Sequence, residues 1–186
     1  MATTGGEDHL RDVTIGELQR LDGPITMVDY DASWPALYER EAARVRAALA
    51  NKVHIIEHVG STSVPGLSAK PIIDILLVVA DSSDEPAYAS DLEAAGYLLR
   101  IREREWHEHR LFKGSDTAIN MHVFSEGCIE IDRMIALRDH LHADAADRNL
   151  YEQTKRELAA RDWVFVQDYA DAKSEVVEAI LVRARR

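Results

Sequence analysis

A small-residue loop followed by a lone carboxylate is the first feature of this sequence that could do chemistry. The loop consists of four residues, Gly60, Ser61, Thr62 and Ser63. Asp74 follows inside an apolar run from Ile72 to Val79. A glycine and a serine at a strand end let backbone N–H groups approach a phosphate closely. An ionised carboxylate in a buried strand is costly unless a cation or hydrogen-bond donors meet it. The stretch therefore predicts a phosphate- or metal-binding site, with Asp74 as a catalytic residue and metal ligand.

Lys70 lies between this loop and this carboxylate. It precedes Pro71, so its backbone is expected to be extended and its side chain can point back toward the loop. A contact with phosphate is one interpretation, and a solvated surface lysine is the other. Asp74 also has a structural alternative, a buried ion pair with Lys70, Arg110 or a histidine.

Histidines form a second candidate group. His107 and His109 alternate on one predicted strand, His122 lies on its expected hairpin partner, and His58 immediately precedes the loop. Imidazole with Asp74 would suit Zn, Mn or Fe. Imidazole beside a phosphate would instead suit acid–base work or substrate contact. The third alternative is cross-strand hydrogen bonding, and the strand register that decides between them is open.

Two further charged residues are candidates for the same site. Arg110 is the best candidate for an anion clamp, because a guanidinium binds phosphate or carboxylate through two hydrogen bonds. An exposed strand arginine is the alternative. Glu130 opens a predicted helix, where an acid usually complements the helix dipole. If that turn abuts the sheet, Glu130 could supply a second metal-binding carboxylate.

The elements that must position these residues are helices and strands in alternation. Ser33 and Pro35 predict a helix start, and the stripe of Trp34, Tyr38, Ala42, Val45 and Leu49 predicts an amphipathic helix. Strands are predicted at 53–59, 72–79, 97–102, 106–112 and 118–124. Helices are predicted at 86–95, 130–138, 143–160 and 172–185. The fold class is α/β (α+β), a mixed sheet of four or five strands packed by helices, with a helical C-terminal third.

Composition narrows the class of protein. The chain has 186 residues and a net charge of −11, from 33 acidic and 22 basic residues. This balance argues against nucleic acid or an anionic membrane as the main partner. The lone Cys128 and the lack of a long apolar run predict a cytoplasmic protein. We expect residues 1–24 to be a flexible extension, with a short helix at 13–21 capped by Thr14 and Glu17, and residues 25–186 to form one domain.

Several spaced motifs carry a family resemblance. The segments are YDASWPALYEREA, GSTSVPGLSAKPIIDI, EHRLF, NMHVF and EIDRMIALRDHL. Together they resemble the GrpB family from about Val28 to the C-terminus, and that family is similar in fold to the DNA polymerase beta-type nucleotidyltransferases. Those enzymes usually carry two acids two residues apart on one strand. Here the second of these positions is Leu76.

Three functions follow as hypotheses. The first is a nucleotidyltransferase-like enzyme acting on a nucleotide or phosphorylated small molecule, with Mg or Mn as cofactor and Zn as the weaker choice. In it, Gly60, Ser61 and Lys70 hold phosphate, while Asp74, His122 and Arg110 do the chemistry. The second is a non-catalytic nucleotide- or CoA-type ligand-binding or accessory module without the two-metal site. The resemblance also implies that similar proteins occur fused to dephospho-CoA kinase. Such a fusion is compatible with either an accessory or a CoA-linked role. The third is ligase or group-transfer chemistry in a biosynthetic pathway.

Overall fold

A computed structural model describes residues 6–21 and 23–185 of the chain. It contains one five-stranded mixed sheet, as predicted. The strands are β1 (Ile55–Val59), β2 (Ile73–Val79), β3 (Tyr97–Glu103), β4 (His109–Gly114) and β5 (Ile119–Ser125). The helices are α1 (Glu7–Val13), α2 (Trp34–Leu49), α3 (Ala89–Ala94), α4 (Ile129–Ala143), α5 (Ala145–Ala159), α6 (Val166–Ala172) and α7 (Ser174–Ala184).

The sheet order is β1-β2-β5-β4-β3, and only β2 and β5 run parallel. Asp74 lies opposite Asn120 of β5, and Asn120 lies opposite Lys113 of β4. Directly opposed residues share a face of a sheet, so these three side chains lie on one face. We call it the site face.

The face opposite the site face carries the main apolar core. The α2 stripe from Trp34 to Leu49 packs there against β2 and β5, joined by α3. All five residues of the predicted stripe are buried. The Tyr38 hydroxyl also donates to the Ile56 carbonyl of β1, at 3.0 Å. The Tyr97 hydroxyl of β3 likewise donates to Glu41 Oε2 of α2 at 2.8 Å, so the helix is held by apolar contacts and by buried hydrogen bonds.

The site face is covered by the C-terminal helices. α4 packs its Ile131 on an apolar cluster that includes Leu76 and Phe124. α5 and α7 pack against the Ser61–Leu67 region through a separate apolar cluster. The start of β2 and β5 thus lies between the loop after β1 and the helices of the last third of the chain.

Some predicted boundaries differ from the structure. The helix predicted at 13–21 is wrong, because α1 ends at Val13 and the Ile15 N–H then donates to the Arg100 carbonyl beside β3. The prediction of mobility for residues 1–5 lies outside the described residues. The strand predicted from Trp106 begins at His109, after a turn with positive φ at His107 and Glu108. α6 was not predicted.

No helix in the described part of the chain is both long and apolar enough to span a membrane.

Candidate functional site

Asp74 is held at the point where β1 ends and β2 begins. It pairs in register with Val59, so Gly60 follows directly above it. Gly60 has a φ of 69°, and a Cβ there would lie 3.0 Å from Asp74 Cβ and closer still to Oδ2. Only glycine lets the loop approach this carboxylate so closely. The predicted pairing of a glycine loop with Asp74 is therefore a direct contact.

Hydrogen bonds on the site face orient the Asp74 carboxylate. The Asn120 Nδ2 donates to Asp74 Oδ1 at 2.8 Å, and Lys113 Nζ donates to Asn120 Oδ1. Burial opposes the charge of Asp74. In the acidic range where a carboxyl titrates an ordinary imidazole is protonated, and the attraction of protonated His122 together with the hydrogen bond from Asn120 outweighs burial, so the pKa of this carboxyl is lowered. Asp74 is therefore ionised at neutral pH.

Four of the five lysines in the chain lie close enough to Asp74 for its charge to act on them. They are Lys70, Lys113, Lys155 and Lys173. The charge of Asp74 stabilises the ammonium form of each one. Across residues 6–21 and 23–185, the one lysine that forms an ion pair closer than 4.0 Å is the fifth, Lys52, with Asp91. Among the described residues, none of these four lysines therefore has an acidic partner within 4.0 Å, although Glu152 and Asp171 add weaker attraction at Lys155 and Lys173.

Aromatic rings and a serine hold these ammonium groups in place. Lys155 is 2% exposed and donates to Ser61 Oγ at 2.8 Å and to the Ser68 carbonyl at 2.6 Å. Its Nζ lies 4.9 Å from the Tyr151 ring centroid. Lys70 and Lys173 lie 5.4 and 4.7 Å from the ring centroid of the same tyrosine on α6, Tyr169. Such cation–π contacts stabilise a charge without neutralising it.

Burial lowers the pKa of all four lysines, and repulsion by neighbouring cations lowers it further at three of them, Lys70, Lys113 and Lys155. Burial is the largest cause in each case. Lys173 adds repulsion at Lys70 and Lys155, and Lys70 adds it at Lys113. For Lys155 the result is a pKa of about 7. A bound anion would relieve this repulsion and raise these pKa values.

The predicted phosphate loop divides into two parts. Gly60 and Ser61 face the cluster, through Asp74 and Lys155 respectively. Thr62 is buried and contacts His58 Nε2 and the Ile72 carbonyl, and Ser63 donates to the Gly60 carbonyl. The second pair therefore braces the loop from within.

The histidines are likewise divided by the strand register. His122 Nε2 lies 3.9 Å from Asp74 Oδ1, and its Nδ1 is 3.1 Å from the buried His109 Nε2. His58 lies on the opposite face, stacked on Tyr38, and burial lowers its pKa to about 4. His107 is exposed in the turn before β4. Only His122 meets Asp74, with His109 behind it.

The structure does not bring Arg110 to this cluster. Strand alternation places Lys113 on the site face and Arg110 on the other. There Arg110 is 2% exposed and pairs with Glu85 at 2.6 Å and with Glu108 at 2.9 Å. Its guanidinium is thus already neutralised, unlike the four ammonium groups.

The expected second carboxylate is also absent from the cluster. Leu76 is fully buried beneath α4, and Glu130 pairs with Arg133 at 3.0 Å. In the described part of the chain, the three-residue group that could hold a metal ion is His140, Asp144 and Asp147. Asp147 there accepts two hydrogen bonds from Arg183. Four ammonium groups around one carboxylate do not fit a divalent metal pair, because ammonium groups repel cations and cannot ligate them.

A family model now accounts for most of the chain. The model described as "GrpB protein" matches residues 24–183. This chain belongs to the GrpB family. The match includes the loop, Asp74, and all four lysines of the cluster, so the site lies within the region that defines the family.

Individual relatives agree with this assignment. A UPF0157 protein of Halalkalibacterium halodurans is 57% identical over 183 residues, covering 98% of this chain and 94% of that protein. The crystal structure of the conserved protein GrpB from Enterococcus faecalis matches with a TM-score of 0.74 and 26% identity, covering 87% of this chain and all of that one. A shorter match, 35% identical over 77 residues, is to dephospho-CoA kinase of Mycolicibacterium paratuberculosis; it covers 40% of this chain and 19% of that enzyme.

Sequence reasoning missed Lys113, Lys155 and Lys173, as well as the two tyrosines whose rings contact lysines of the cluster, Tyr151 and Tyr169. Lys155 and Lys173 lie on or beside helices far along the chain from Asp74, and no local motif marks them. One signal was present in the composition. Only five of the 22 basic residues are lysines, and in a chain this rich in arginine the rarity of lysine marks those positions.

Proposed function

We propose that this GrpB protein binds a phosphorylated small molecule of the nucleotide or CoA type at the lysine cluster. The single observation that supports it is the convergence of four lysines on one carboxylate in a protein whose net charge is −11. Holding like charges together without acidic partners is costly, and a phosphate group is the ligand that offsets that cost.

The arrangement suits an anion with more than one charged group. Lys155 is fixed beside Ser61, while Lys70 and Lys173 flank Tyr169 and Lys113 lies on the sheet. Several separated ammonium groups match the spread charge of a diphosphate or triphosphate better than that of one carboxylate. The flat rings of Tyr151 and Tyr169 also lie within this region. The partial match to dephospho-CoA kinase supports a CoA-related ligand.

Binding without a divalent metal is the form of the hypothesis that the site supports best. In the polymerase beta-type mechanism, metal ions held by carboxylates neutralise the phosphates. Here the lysines would neutralise the phosphates instead. The strand position that carries the second acid in those enzymes is occupied by the buried Leu76. Catalysis remains the second candidate function. The closeness of His122 to Asp74 favours it, because imidazole and carboxylate are the groups of acid–base group transfer.

Thermal unfolding of the chain with ATP, CTP, GTP and CoA tests the proposal, each with and without Mg²⁺. Binding to the native state raises the melting temperature. We expect at least one of these ligands to do so in the absence of any divalent metal. A shift that requires Mg²⁺ would instead support the transferase hypothesis, and no shift with any of them would overturn the proposal.

Asp74→Asn separates the two outcomes. The asparagine keeps the shape and the contact with Asn120 but loses the negative charge. For metal-free anion binding, the variant is expected to bind as well as the original chain or more tightly, because a repulsive charge is gone. For metal-dependent binding, the same variant should lose the shift.

A further inference from the structure

A line of four hydrogen-bonding side chains crosses the site face of the sheet and ends at Asp74. Glu103 Oε2 lies 2.7 Å from His109 Nδ1, and His109 Nε2 lies 3.1 Å from His122 Nδ1. His122 Nε2 then lies 3.9 Å from Asp74 Oδ1. We infer that Glu103 and His109 are positioning residues that fix the tautomer of His122, so that Nε2 of the neutral ring is presented to the lysine cluster as a proton acceptor.

The order of donors along this line follows from its first member. A carboxylate only accepts hydrogen bonds, so His109 must carry its proton on Nδ1 to donate to Glu103. The Nε2 of a neutral His109 then accepts, and the donor facing it has to be His122 Nδ1–H. A neutral His122 with its proton on Nδ1 has a free lone pair on Nε2.

The surroundings of His109 keep it neutral and in place. The side chain is 3% exposed and stacks on Phe124 with Trp106 at its edge. Burial lowers the pKa of His109 to about 4, against the opposing influence of Glu103. A ring that stays neutral keeps one donor and one acceptor, which is what the relay of hydrogen bonds requires.

The far end of the line defines what His122 can accept. A separation of 3.9 Å is too long for a direct hydrogen bond between His122 and Asp74. One donor atom can lie within hydrogen-bond distance of both, so the gap suits a water molecule, or a hydroxyl or amine of the ligand, beside the phosphate. Which ligand group would donate here rests on the proposed function. The tautomers of His109 and His122 follow from the hydrogen-bond line alone and do not rest on it.

Nitrogen chemical shifts of the histidine rings test the inference in the ¹⁵N-labelled full-length chain without ligand. Long-range ¹H–¹⁵N correlation at about pH 8, where ordinary histidines are neutral, shows which ring nitrogen carries the proton. His109→Asn and His122→Asn assign the signals. We expect both rings to carry the proton on Nδ1. A proton on His122 Nε2 in the original chain would overturn the inference, whether or not the protein binds phosphate.

Variants of Glu103 separate positioning from mere packing. Glu103→Leu removes the acceptor, and the expected result is a shift of the His122 Nε2 signal toward the position of a protonated nitrogen. Glu103→Gln keeps an acceptor oxygen and should retain the Nδ1–H form of both rings. Glu105→Gln, at an exposed position just beyond β3, serves as control. Unchanged His109 and His122 tautomers in Glu103→Leu would contradict the role of Glu103.

Discussion

The two faces of the sheet treat buried positive charge in opposite ways. On the face packed by α2 and α3, Arg110 is 2% exposed, and two glutamates within 3 Å neutralise it. On the site face, the charge of Asp74 acts on four lysines, none of which forms an ion pair within 4.0 Å in the part of the chain that the structure describes. Charge that is paired inside the chain holds the fold together. Charge that is left without a partner is available to a ligand.

The choice of arginine on one face and lysine on the other fits these two environments. Arg110 uses its planar guanidinium to bridge Glu85 and Glu108, a geometry that an ammonium group cannot reproduce. Lysine is a compact point charge whose pKa shifts readily on burial. The lysine cluster can therefore lower its own charge when empty and regain it when an anion arrives.

The largest expected effect comes from removing Arg110, whose charge is paired with two glutamates. Arg110→Met removes a buried guanidinium and its two charge-assisted hydrogen bonds to Glu85 and Glu108, so we expect a loss of about 3 kcal/mol in the free energy of unfolding. Urea unfolding measures it. Ligand binding at the lysine cluster should be unaffected in the folded variant. A loss below about 0.5 kcal/mol, the range typical of surface changes, would show that the pairing is not structural.

The next effect comes from the contact between the loop and Asp74. Gly60→Ala places a methyl group against the carboxylate at a φ of 69°, with an expected cost of about 3 kcal/mol from strain and crowding. Gly66→Ala is the matched control, since Gly66 has a φ of 78° with open space around it. It should cost about 1–2 kcal/mol. Equal losses in urea unfolding would mean that Asp74 does not restrict the loop.

Stability should also depend on pH through the lysine cluster. Burial lowers the pKa of Lys155 to about 7 from its ordinary value of 10.5, so the unfolded chain binds more protons between these values. Unfolding free energy therefore rises with pH across that window, by up to about 1 kcal/mol per pH unit. Lys155→Met should flatten the slope between about pH 7 and 9, while Lys52→Met should not. An unchanged slope in Lys155→Met would contradict the lowered pKa of Lys155 in the folded chain.

The smallest effect is a gain in stability. Lys173→Gln removes one of the repelling charges, and we expect the unfolding free energy to rise by up to about 1 kcal/mol at neutral pH. Sites built for ligands commonly gain stability when their function is lost. Destabilisation by Lys173→Gln, measured by urea unfolding, would place this lysine with the structural charges on the other side of the sheet.

Local patterns predicted much of the fold. The α2 stripe, the buried run of β2 and the hairpin of β4 and β5 were visible because periodicity is a local property of the chain. The proximity of Gly60 to Asp74 followed from a loop placed between two neighbouring strands. Periodicity could not predict α6, and it placed a helix in the segment after Val13, where Ile15 instead bonds to β3.

The charged residues of the site were harder to predict because register decides which face each one joins. The turn at His107 and Glu108 delays the start of β4, and the alternation from there puts Lys113 beside Asn120 and Arg110 on the far face. Lys155 and Lys173 come near Asp74 only through the packing of α5, α6 and α7. Such contacts depend on tertiary structure, which no spacing rule encodes.

Calorimetric titration with inorganic diphosphate in metal-free, low-salt buffer tests the central claim most directly. The original chain and Lys52→Gln should bind one diphosphate with equal affinity. Lys70→Gln/Lys173→Gln should bind at least one hundred times more weakly, since each charge-assisted hydrogen bond contributes about 1.5–3 kcal/mol. Failure of the original chain to bind, or equal weakening in Lys52→Gln and the double variant, would contradict the assignment of the lysine cluster as an anion site.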